Sequence, residues 1–205
     1  MGGGKIMSKY TITDLKQRQS LPLADKIKMA ERRIQEWIDE YGVDGVYVSF
    51  SGGKDSTVLA DIVRNRMGYK QIPLVFVDVP TQYPELKDFA KTFDNVIILR
   101  PKISFMEVCS KYGFPLISKE VSAKAHEAKS KPDGHAARRF QGEKAGTKFD
   151  ISKWAFLLEA DFNIAGNCCH VMKKAPIKKF EKENHKYGMT AQMASESALR
   201  SSEWM

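Results

Sequence analysis

The fold is decided by the stretch Val46-Tyr47-Val48-Ser49-Phe50-Ser51-Gly52-Gly53-Lys54-Asp55-Ser56. Its first half is rich in β-branched and aromatic residues and predicts a buried strand. Ser51-Gly52-Gly53 predicts a turn, and the apolar residues that follow it recur at helical spacing. Asp55 or Ser56 can cap that helix. The sequence therefore predicts a strand and a helix that are joined by a glycine-rich turn.

This turn has the chemistry of a phosphate cradle. Its two glycines allow the backbone to approach a ligand closely and to adopt positive φ. Loop amides and the start of the following helix then point toward an anion. Lys54 adds a positive charge, the hydroxyls of Ser51 and Ser56 add donors, and Asp55 can help to hold Mg²⁺. We therefore predict a phosphate-binding site, with an ordinary glycine-rich turn as the alternative.

Strand and helix patterns alternate on both sides of this turn. The alternation predicts a doubly wound α/β fold with a mainly parallel sheet, in which ligands bind beyond the carboxyl ends of the strands. The predicted strands after the first are Ile72–Val79, Asn95–Leu99 and Lys186–Ala191. The predicted helices are Leu23–Tyr41, 55–63, Pro84–Phe93, a short helix with Phe105, Val108 and Cys109, Val121–Lys129, Trp154–Leu158 and Glu196–Trp204.

We divide the chain into two parts. Residues 1–42 form an N-terminal extension with an amphipathic helix, and residues 43–205 form the nucleotide-binding domain. The domain carries a basic insertion at about residues 118–150, where Lys, Arg, Pro and Gly are frequent. Because runs of charge are usually solvated, we expect an exposed, mobile loop after Lys129. A basic lid over an anionic ligand is the alternative.

Composition limits the partners of the chain. The 205 residues carry 33 Lys and Arg against 25 Asp and Glu, a net charge of +8, which favours anionic partners. The longest apolar run is too short for a membrane helix, and we expect no membrane partner. With three cysteines and no export signal, we expect a reduced protein in the cytoplasm. A homo-oligomer is possible.

In two basic stretches, Lys119–Lys148 and Lys173–Lys186, the excess of Lys and Arg over Asp and Glu accounts for nearly all of the net positive charge. Single-stranded nucleic acid is bound by aromatic side chains interleaved with basic ones, and few aromatic residues lie in or near these stretches. They are Phe140, Phe149, Trp154 and Phe180. We therefore favour a small nucleotide over a nucleic acid as the ligand.

Ser51-Gly52-Gly53-Lys54-Asp55-Ser56 resembles the PP-loop of the N-type ATP pyrophosphatases, in the branch of the phosphoadenylylsulfate (PAPS) reductases and the ATP sulfurylase small subunit. It is not a Walker A loop, which requires Gly at Val48 and Ser or Thr at Asp55. The resemblance covers about Gly45 to Arg200 and implies an adenine nucleotide alpha hydrolase-like fold. Further similar stretches are Val75-Phe76-Val77-Asp78, Gln82-Tyr83-Pro84-Glu85, Cys168-Cys169 with Lys173-Lys174 and Pro176, and Ala194-Ser195-Glu196-Ser197 with Arg200.

The resemblance implies an enzyme of sulfur metabolism that binds ATP, or PAPS or adenylylsulfate, with Mg²⁺. It would act in adenylation with pyrophosphate release or in sulfur transfer, with Lys54 and Asp55 as catalytic residues. The alternatives are a sulfonucleotide reductase and a nucleotide-binding component of a nucleic-acid sulfur-modification complex. The ligand-binding residues that we expect are Ser49, Ser51, Gly52, Gly53, Lys54, Asp55, Ser56, Asp78, Glu196 and Arg200.

The sequence departs from the branch at three places. Val79-Pro80-Thr81 follows the second strand where the reductases usually show Asp-Thr-Gly, and Met193 stands where many members carry Arg. No cysteine follows Cys169, whereas the reductases carry a later catalytic cysteine. Cys168 and Cys169 could ligate a metal, but four-cysteine sites need two more ligands. We therefore predict that the cysteines of this chain alone hold no metal ion and no iron–sulfur cluster.

Overall fold

A computed structural model describes residues 11–193, Glu196 and Arg200. Its strands are β1 (Val46–Phe50), β2 (Leu74–Val77), β3 (Val96–Leu99) and β4 (Tyr187–Met189). Its α-helices are α1 (Ile12–Ser20), α2 (Leu23–Tyr41), α3 (Lys54–Asp61), α4 (Pro84–Lys91), α5 (Phe105–Tyr112), α6 (Lys119–Ser130), α7 (His135–Phe140) and α8 (Ala175–Asn184). Turns of 3₁₀-helix span Val43–Gly45 and Ser152–Glu159, and turns of π-helix span Ile62–Arg66 and His170–Lys174.

The four strands form one parallel sheet in the order β3-β2-β1-β4. Val48 of β1 is paired with Leu74 of β2, and Val46 is paired with Tyr187 of β4. Every residue of β1 except Ser49 is buried, as in parallel strands that are covered on both faces. Helices flank the sheet, and the predicted doubly wound α/β fold is confirmed.

The helix predicted over Leu23–Tyr41 has these bounds in the structure. Ile34 and Ile38, which lie one turn apart, are buried in the core. Gly42 ends the helix with a φ of 75°, in the left-handed region that glycine tolerates best.

Contacts group the described residues into two compact units. The first unit comprises the described part of residues 1–76, 84–98 and 181–205, and the second comprises residues 77–83 and 99–180. The core of the first unit packs side chains of the sheet against those of helices α2, α3 and α4. Its buried residues are Ile34, Ile38, Val46, Val48, Phe50, Ala60, Ile62, Val63, Ile72, Leu74, Phe76, Ala90 and Met189.

Strand β2 is shorter than the predicted span Ile72–Val79, because hydrogen-bonded pairing covers only Leu74–Val77. Pro73 has no backbone N–H and cannot donate to a neighbouring strand. Ile72 and Val79 are nevertheless buried, so the apolar run exceeds the strand at both ends. The fourth strand lies inside its predicted span.

The second unit corrects the prediction of an exposed loop after Lys129. Helix α7 forms there and buries Ala136, Ala137 and Phe140 against α6. Arg139 is buried too, because its Nη2 donates to Glu120 Oε1 at 2.9 Å and to the carbonyl of Phe149 at 2.6 Å. A buried charge that is paired and hydrogen-bonded avoids most of the desolvation cost, so this part of the charged insertion belongs to a core.

Within the residues that the structure describes, no helix combines the length and the apolar character that crossing a membrane requires. The predicted helix Glu196–Trp204 lies outside those residues except for Glu196 and Arg200.

Candidate phosphate-binding site

The turn between β1 and α3 has a shape that depends on glycine. Gly52 has a φ of 74°, and a Cβ built on it would lie 3.2 Å from the carbonyl oxygen of Leu86. A larger residue would be strained by both the backbone conformation and this contact. Gly52 therefore allows the chain to turn tightly beneath α4.

Hydrogen bonds between the two serines fix the loop from inside. The Ser56 hydroxyl donates to the carbonyl of Gly53 at 2.9 Å and accepts from the amide of Ser51 at 3.2 Å. Its oxygen also lies 3.1 Å from Ser51 Oγ, which accepts from the amide of Gly53 at 3.3 Å. Ser56 is buried and holds the loop in shape, whereas Ser51 is exposed.

The start of α3 differs from the prediction that Asp55 or Ser56 caps it. Gly53 is the N-cap residue, and no side chain of the described residues makes a capping hydrogen bond there. The first amides of α3 therefore remain for an external acceptor, which is the arrangement that binds anions at helix N-termini. Lys54 is exposed at the first helical position and Asp55 is half-buried behind it.

A polar cleft of about 320 Å³, the phosphate cleft, opens over this loop. It brings together many of the predicted binding residues, and Gly52 and Lys54 adjoin it in the chain. The predicted residues that line it are Ser49, Ser51, Gly53, Asp55, Ser56, Glu196 and Arg200. Glu196 and Arg200 form an ion pair with each other, and the amide of Glu196 donates to the carbonyl of Met193 at 3.1 Å.

Sequence reasoning missed Thr190, Ala191 and Gln192, which also line the phosphate cleft. They directly follow β4, which is parallel to β1. Residues that follow neighbouring parallel strands meet at one edge of the sheet, and this rule could have identified them.

Asp78 follows β2 and belongs to the second unit. Its amide donates to the carbonyl of Leu99 at 2.8 Å, and its carboxylate accepts from Nε of Arg100 at 3.3 Å. The ion pair gives this half-buried carboxylate a structural partner. A role of Asp78 in binding nucleotide or Mg²⁺ stays a prediction.

The three cysteines lie in the second unit. Cys109 is buried on α5, and burial raises the pKa of its thiol. Cys168 and Cys169 are half-buried before the π-helical turn His170–Lys174. Among the residues that the structure describes, no three His, Cys, Asp or Glu side chains are grouped so that they could hold a metal ion.

Known proteins resemble the region that contains this loop. The model of the phosphoadenosine phosphosulfate reductase domain matches residues 45–204. The chain belongs to this family. It is thereby a PP-loop protein of a nucleotide-binding family, as the resemblance of Ser51–Ser56 implies.

A "Probable FAD synthase" of Caenorhabditis briggsae is similar to part of the chain. The two are 29% identical over 94 residues, which are 42% of this chain and 18% of that protein. The chain thus spans less than a fifth of the length of this curated relative. No solved structure matches the chain.

Proposed function

We propose that the PP-loop Ser51–Ser56 binds the phosphates of an adenine nucleotide and that the chain catalyses transfer of its adenylyl group with release of pyrophosphate. The observation that carries this proposal is the uncapped start of α3 behind a loop that Gly52 and Ser56 hold in shape. Membership of the PAPS reductase domain family supports the nucleotide as ligand. Of the candidate nucleotides, only ATP carries the pyrophosphate that this reaction releases; PAPS and adenylylsulfate could be bound through their phosphate and sulfate groups without releasing it.

The chemistry assigned to the site is positioning and electrostatic stabilisation. An acceptor oxygen attacks the α-phosphorus of ATP, the bond from that phosphorus to the bridging oxygen breaks, and pyrophosphate leaves with the electron pair. Loop amides and Lys54 stabilise the charge that develops on this leaving group. The mechanism needs no nucleophile from the protein, because holding the two reactants together supplies much of the rate.

Mg²⁺ would enter with the nucleotide. Magnesium in nucleotide sites is usually held by one or two carboxylates together with phosphate oxygens. Asp55 lines the phosphate cleft and supplies one such carboxylate. The donors in the cleft fit an ion that the phosphates bring, and Asp55 is the residue that would hold it.

One observation favours synthesis over reductive cleavage of a sulfonucleotide. The similar protein from Caenorhabditis briggsae is named as a probable FAD synthase. We therefore favour adenylyl transfer over reduction of a sulfonucleotide and over a non-catalytic role in nucleic-acid sulfur modification.

A thermal-shift panel of ATP, PAPS, adenylylsulfate and NADH tests the proposal. A ligand at a hundred times its Kd stabilises the fold by about 2.7 kcal/mol, and we expect that shift from an adenine nucleotide with a free phosphate end. Incubation with ATP and Mg²⁺ in the presence of candidate acceptors should then release pyrophosphate. Equal shifts from NADH and ATP, or none from any nucleotide, would contradict the assignment.

A further inference from the structure

A second polar cleft lies in the first unit, and no described residue lines both this cleft and the phosphate cleft. We call it the charged cleft, and its volume is about 280 Å³. Its walls come from α3, from the π-helical turn Ile62–Arg66 and from the turn between α4 and β3. Turns of π-helix are rare and are frequent at functional sites. The charged residues that line the cleft are Asp61, Arg64, Lys70 and Asp94.

Arg64 is buried in this cleft without a carboxylate partner. It is 9% exposed, and the acceptor that the described residues give it is the carbonyl of Asp94, 2.7 Å from Nη1. The buried Arg139 of the second unit, in contrast, is paired with the carboxylate of Glu120. A guanidinium has five N–H donors, and a buried charge is costly unless it is paired. Arg64 therefore has donors to spare for a ligand.

These donors can be reached from the cleft. Among the described residues, the buried side-chain nitrogens that lack a hydrogen-bond partner are Trp37 Nε1 and Arg139 Nε. Nε and Nη2 of Arg64 are not bonded either, and they are therefore in contact with solvent. Because Arg64 lines the charged cleft, a ligand in the cleft can accept hydrogen bonds from them.

The other charges of the cleft are not neutralised by one another. Asp61 lies three residues before Arg64, a spacing at which opposite charges on a helix can pair. The two do not pair, because Asp61 Oδ1 accepts from Nδ2 of Asn65 at 2.8 Å. Within the described part of the chain, Lys70 and the carboxylate of Asp94 form no ion pair either. Two cations and two carboxylates thus face one small space.

We propose that the charged cleft binds a small zwitterion, a free α-amino acid, with its carboxylate on Arg64 and Lys70 and its ammonium group on Asp61. A guanidinium can donate two parallel hydrogen bonds to a carboxylate. A simple anion would face the like charge of two carboxylates, whereas a zwitterion matches both signs. The cleft is slightly smaller than the sites of drug-sized ligands, about 300–1,000 Å³, which suits an amino acid and excludes a nucleotide.

Thermal melting of the full chain with each proteinogenic α-amino acid tests the proposal. We expect at least one of them to raise Tm, and titration calorimetry then gives its affinity. The comparison ligands are the same amino acid without its ammonium group and the same amino acid without its carboxylate. Each should bind about tenfold more weakly or worse, because the charge-assisted hydrogen bonds at one end are lost.

Asp61→Asn tests the ammonium end. The substitution removes the negative charge and keeps an oxygen that accepts from Asn65, so the amino acid should bind about tenfold more weakly. The analogue without an ammonium group should bind no more weakly than before. Asp39→Asn is the matched control, since the exposed Asp39 accepts from Nε2 of Gln35 at 2.7 Å and does not line the charged cleft. It should not change the affinity.

Arg64→Gln tests the carboxylate end and should weaken the amino acid more than Asp61→Asn does, because a buried charge is lost. Lys70→Ala gives the same readout if the buried substitution prevents folding, since Lys70 is exposed. The affinity for ATP should be unchanged in Asp61→Asn, because other residues line the phosphate cleft.

The outcomes separate this site from the PP-loop. The proposal is overturned if no amino acid raises Tm, or if the analogue without an ammonium group binds as tightly as the amino acid. Equal losses in Asp61→Asn and Asp39→Asn would also contradict it, as would a loss of ATP binding in Asp61→Asn. A normal ATP affinity in Lys54→Ala would instead contradict the proposed function and leave the charged cleft unaffected.

Discussion

The cores of the two compact units are built from different kinds of side chain. The first unit is built on a sheet and buries large side chains such as Phe76 and Ile72. The helical cluster of the second unit buries small residues from α6 and α7, including Ala125 and Ala136, together with the charged Arg139. The PP-loop belongs to the first unit, where one buried strand determines where the loop begins. Strand pairing therefore sets the position of the PP-loop, whereas close packing of helices holds the insertion in place.

Both units nevertheless use a buried serine in the same way. Ser56 fixes the PP-loop through the carbonyl of Gly53 at 2.9 Å. Ser122 donates to the carbonyl of Leu116 at 2.6 Å and accepts from its amide at 2.8 Å, which fixes the turn before α6. In each case a short hydroxyl side chain supplies the hydrogen-bond partners that the backbone of the turn would otherwise lack.

Core truncations test whether the site depends on the first unit alone. Phe76→Ala in β2 and Phe140→Ala in α7 each remove a buried ring, and each should lower the free energy of unfolding by about 3–5 kcal/mol. Phe76→Ala should also abolish ATP binding, because β2 pairs with the strand that carries the PP-loop. Phe140→Ala should retain it at low temperature. Urea denaturation measures the free energy of unfolding of each variant, and calorimetry measures its affinity for ATP. Loss of ATP binding in both variants would show that the site does not depend on the first unit alone.

Removal of a lysine should matter in one unit and not in the other. Lys54→Ala removes a charge-assisted contact to phosphate worth about 1.5–3 kcal/mol, so nucleotide affinity should fall at least tenfold. The exposed Lys148 of the second unit is the control, and Lys148→Ala should not change that affinity. Thermal melting without ligand should be the same for both variants. Calorimetric titration with ATP measures the affinity. A normal affinity in Lys54→Ala would show that the loop does not bind the nucleotide.

Salt should separate nucleotide binding from any nucleic-acid binding by the basic stretches. Phe140 and Phe180 are buried and Phe149 is 52% exposed, so few rings are available for stacking. A labelled single-stranded oligonucleotide should bind weakly, with log K falling by about 0.7 per neutralised phosphate for each tenfold rise in salt. ATP binding should survive physiological salt. Sub-micromolar oligonucleotide binding at that salt would favour the nucleic-acid alternative.

Alkaline pH should weaken the first unit through Tyr47. Burial and its hydrogen bond to Glu181 raise the pKa of this tyrosine above its usual value of 10.0. The unfolded chain therefore loses the phenolic proton first as pH rises. The stabilisation from Tyr47 is complete below pH 10 and is lost progressively above it. Tyr47→Phe should have a lower free energy of unfolding at neutral pH. Urea titrations should also show that this free energy falls less between neutral and alkaline pH than in the wild-type protein.

Counting the reactive thiols tests the packing of the second unit, and we expect the smallest effect here. Cys109 is buried with a raised pKa, whereas Cys168 and Cys169 are half-buried. A thiol reagent at mildly alkaline pH should modify the pair quickly and Cys109 only after unfolding, since the thiolate is the reactive form. Cys109→Ser should leave the fast phase unchanged. Rapid reaction of all three thiols in the folded wild-type protein would show that this core opens readily.

Much of the first unit could be predicted because its signals are local. The strand Val46–Phe50 and the helix Leu23–Tyr41 are each specified by the pattern of neighbouring residues. Helix α1 was not predicted, although Thr11 and Asp14 have the spacing of the capping box that begins it. The PP-loop could be assigned a ligand class from its residue types alone.

The rest depended on contacts between residues distant in the sequence. Arg139 is buried because Glu120, nineteen residues earlier, accepts from it, and the neighbouring charges concealed the apolar face of α7. The choice of Gly53 as N-cap depends on how the Ser56 hydroxyl is used inside the loop. Thr190 reaches the phosphate cleft through pairing of β4 with β1, which no local pattern specifies.

The hydrogen bonds of Ser56 have a consequence for the kinetics of ligand capture. They hold the loop in its receiving shape before any ligand arrives, so little conformational entropy remains to be lost on association. The rate of encounter should then rise linearly with nucleotide concentration, without the plateau that a slow rearrangement imposes. Ser56→Ala would remove the acceptor of the Ser51 amide and one of the donors to the carbonyl of Gly53, and it should let the loop sample other shapes. We expect its effect chiefly as slower capture, and only secondarily as faster release.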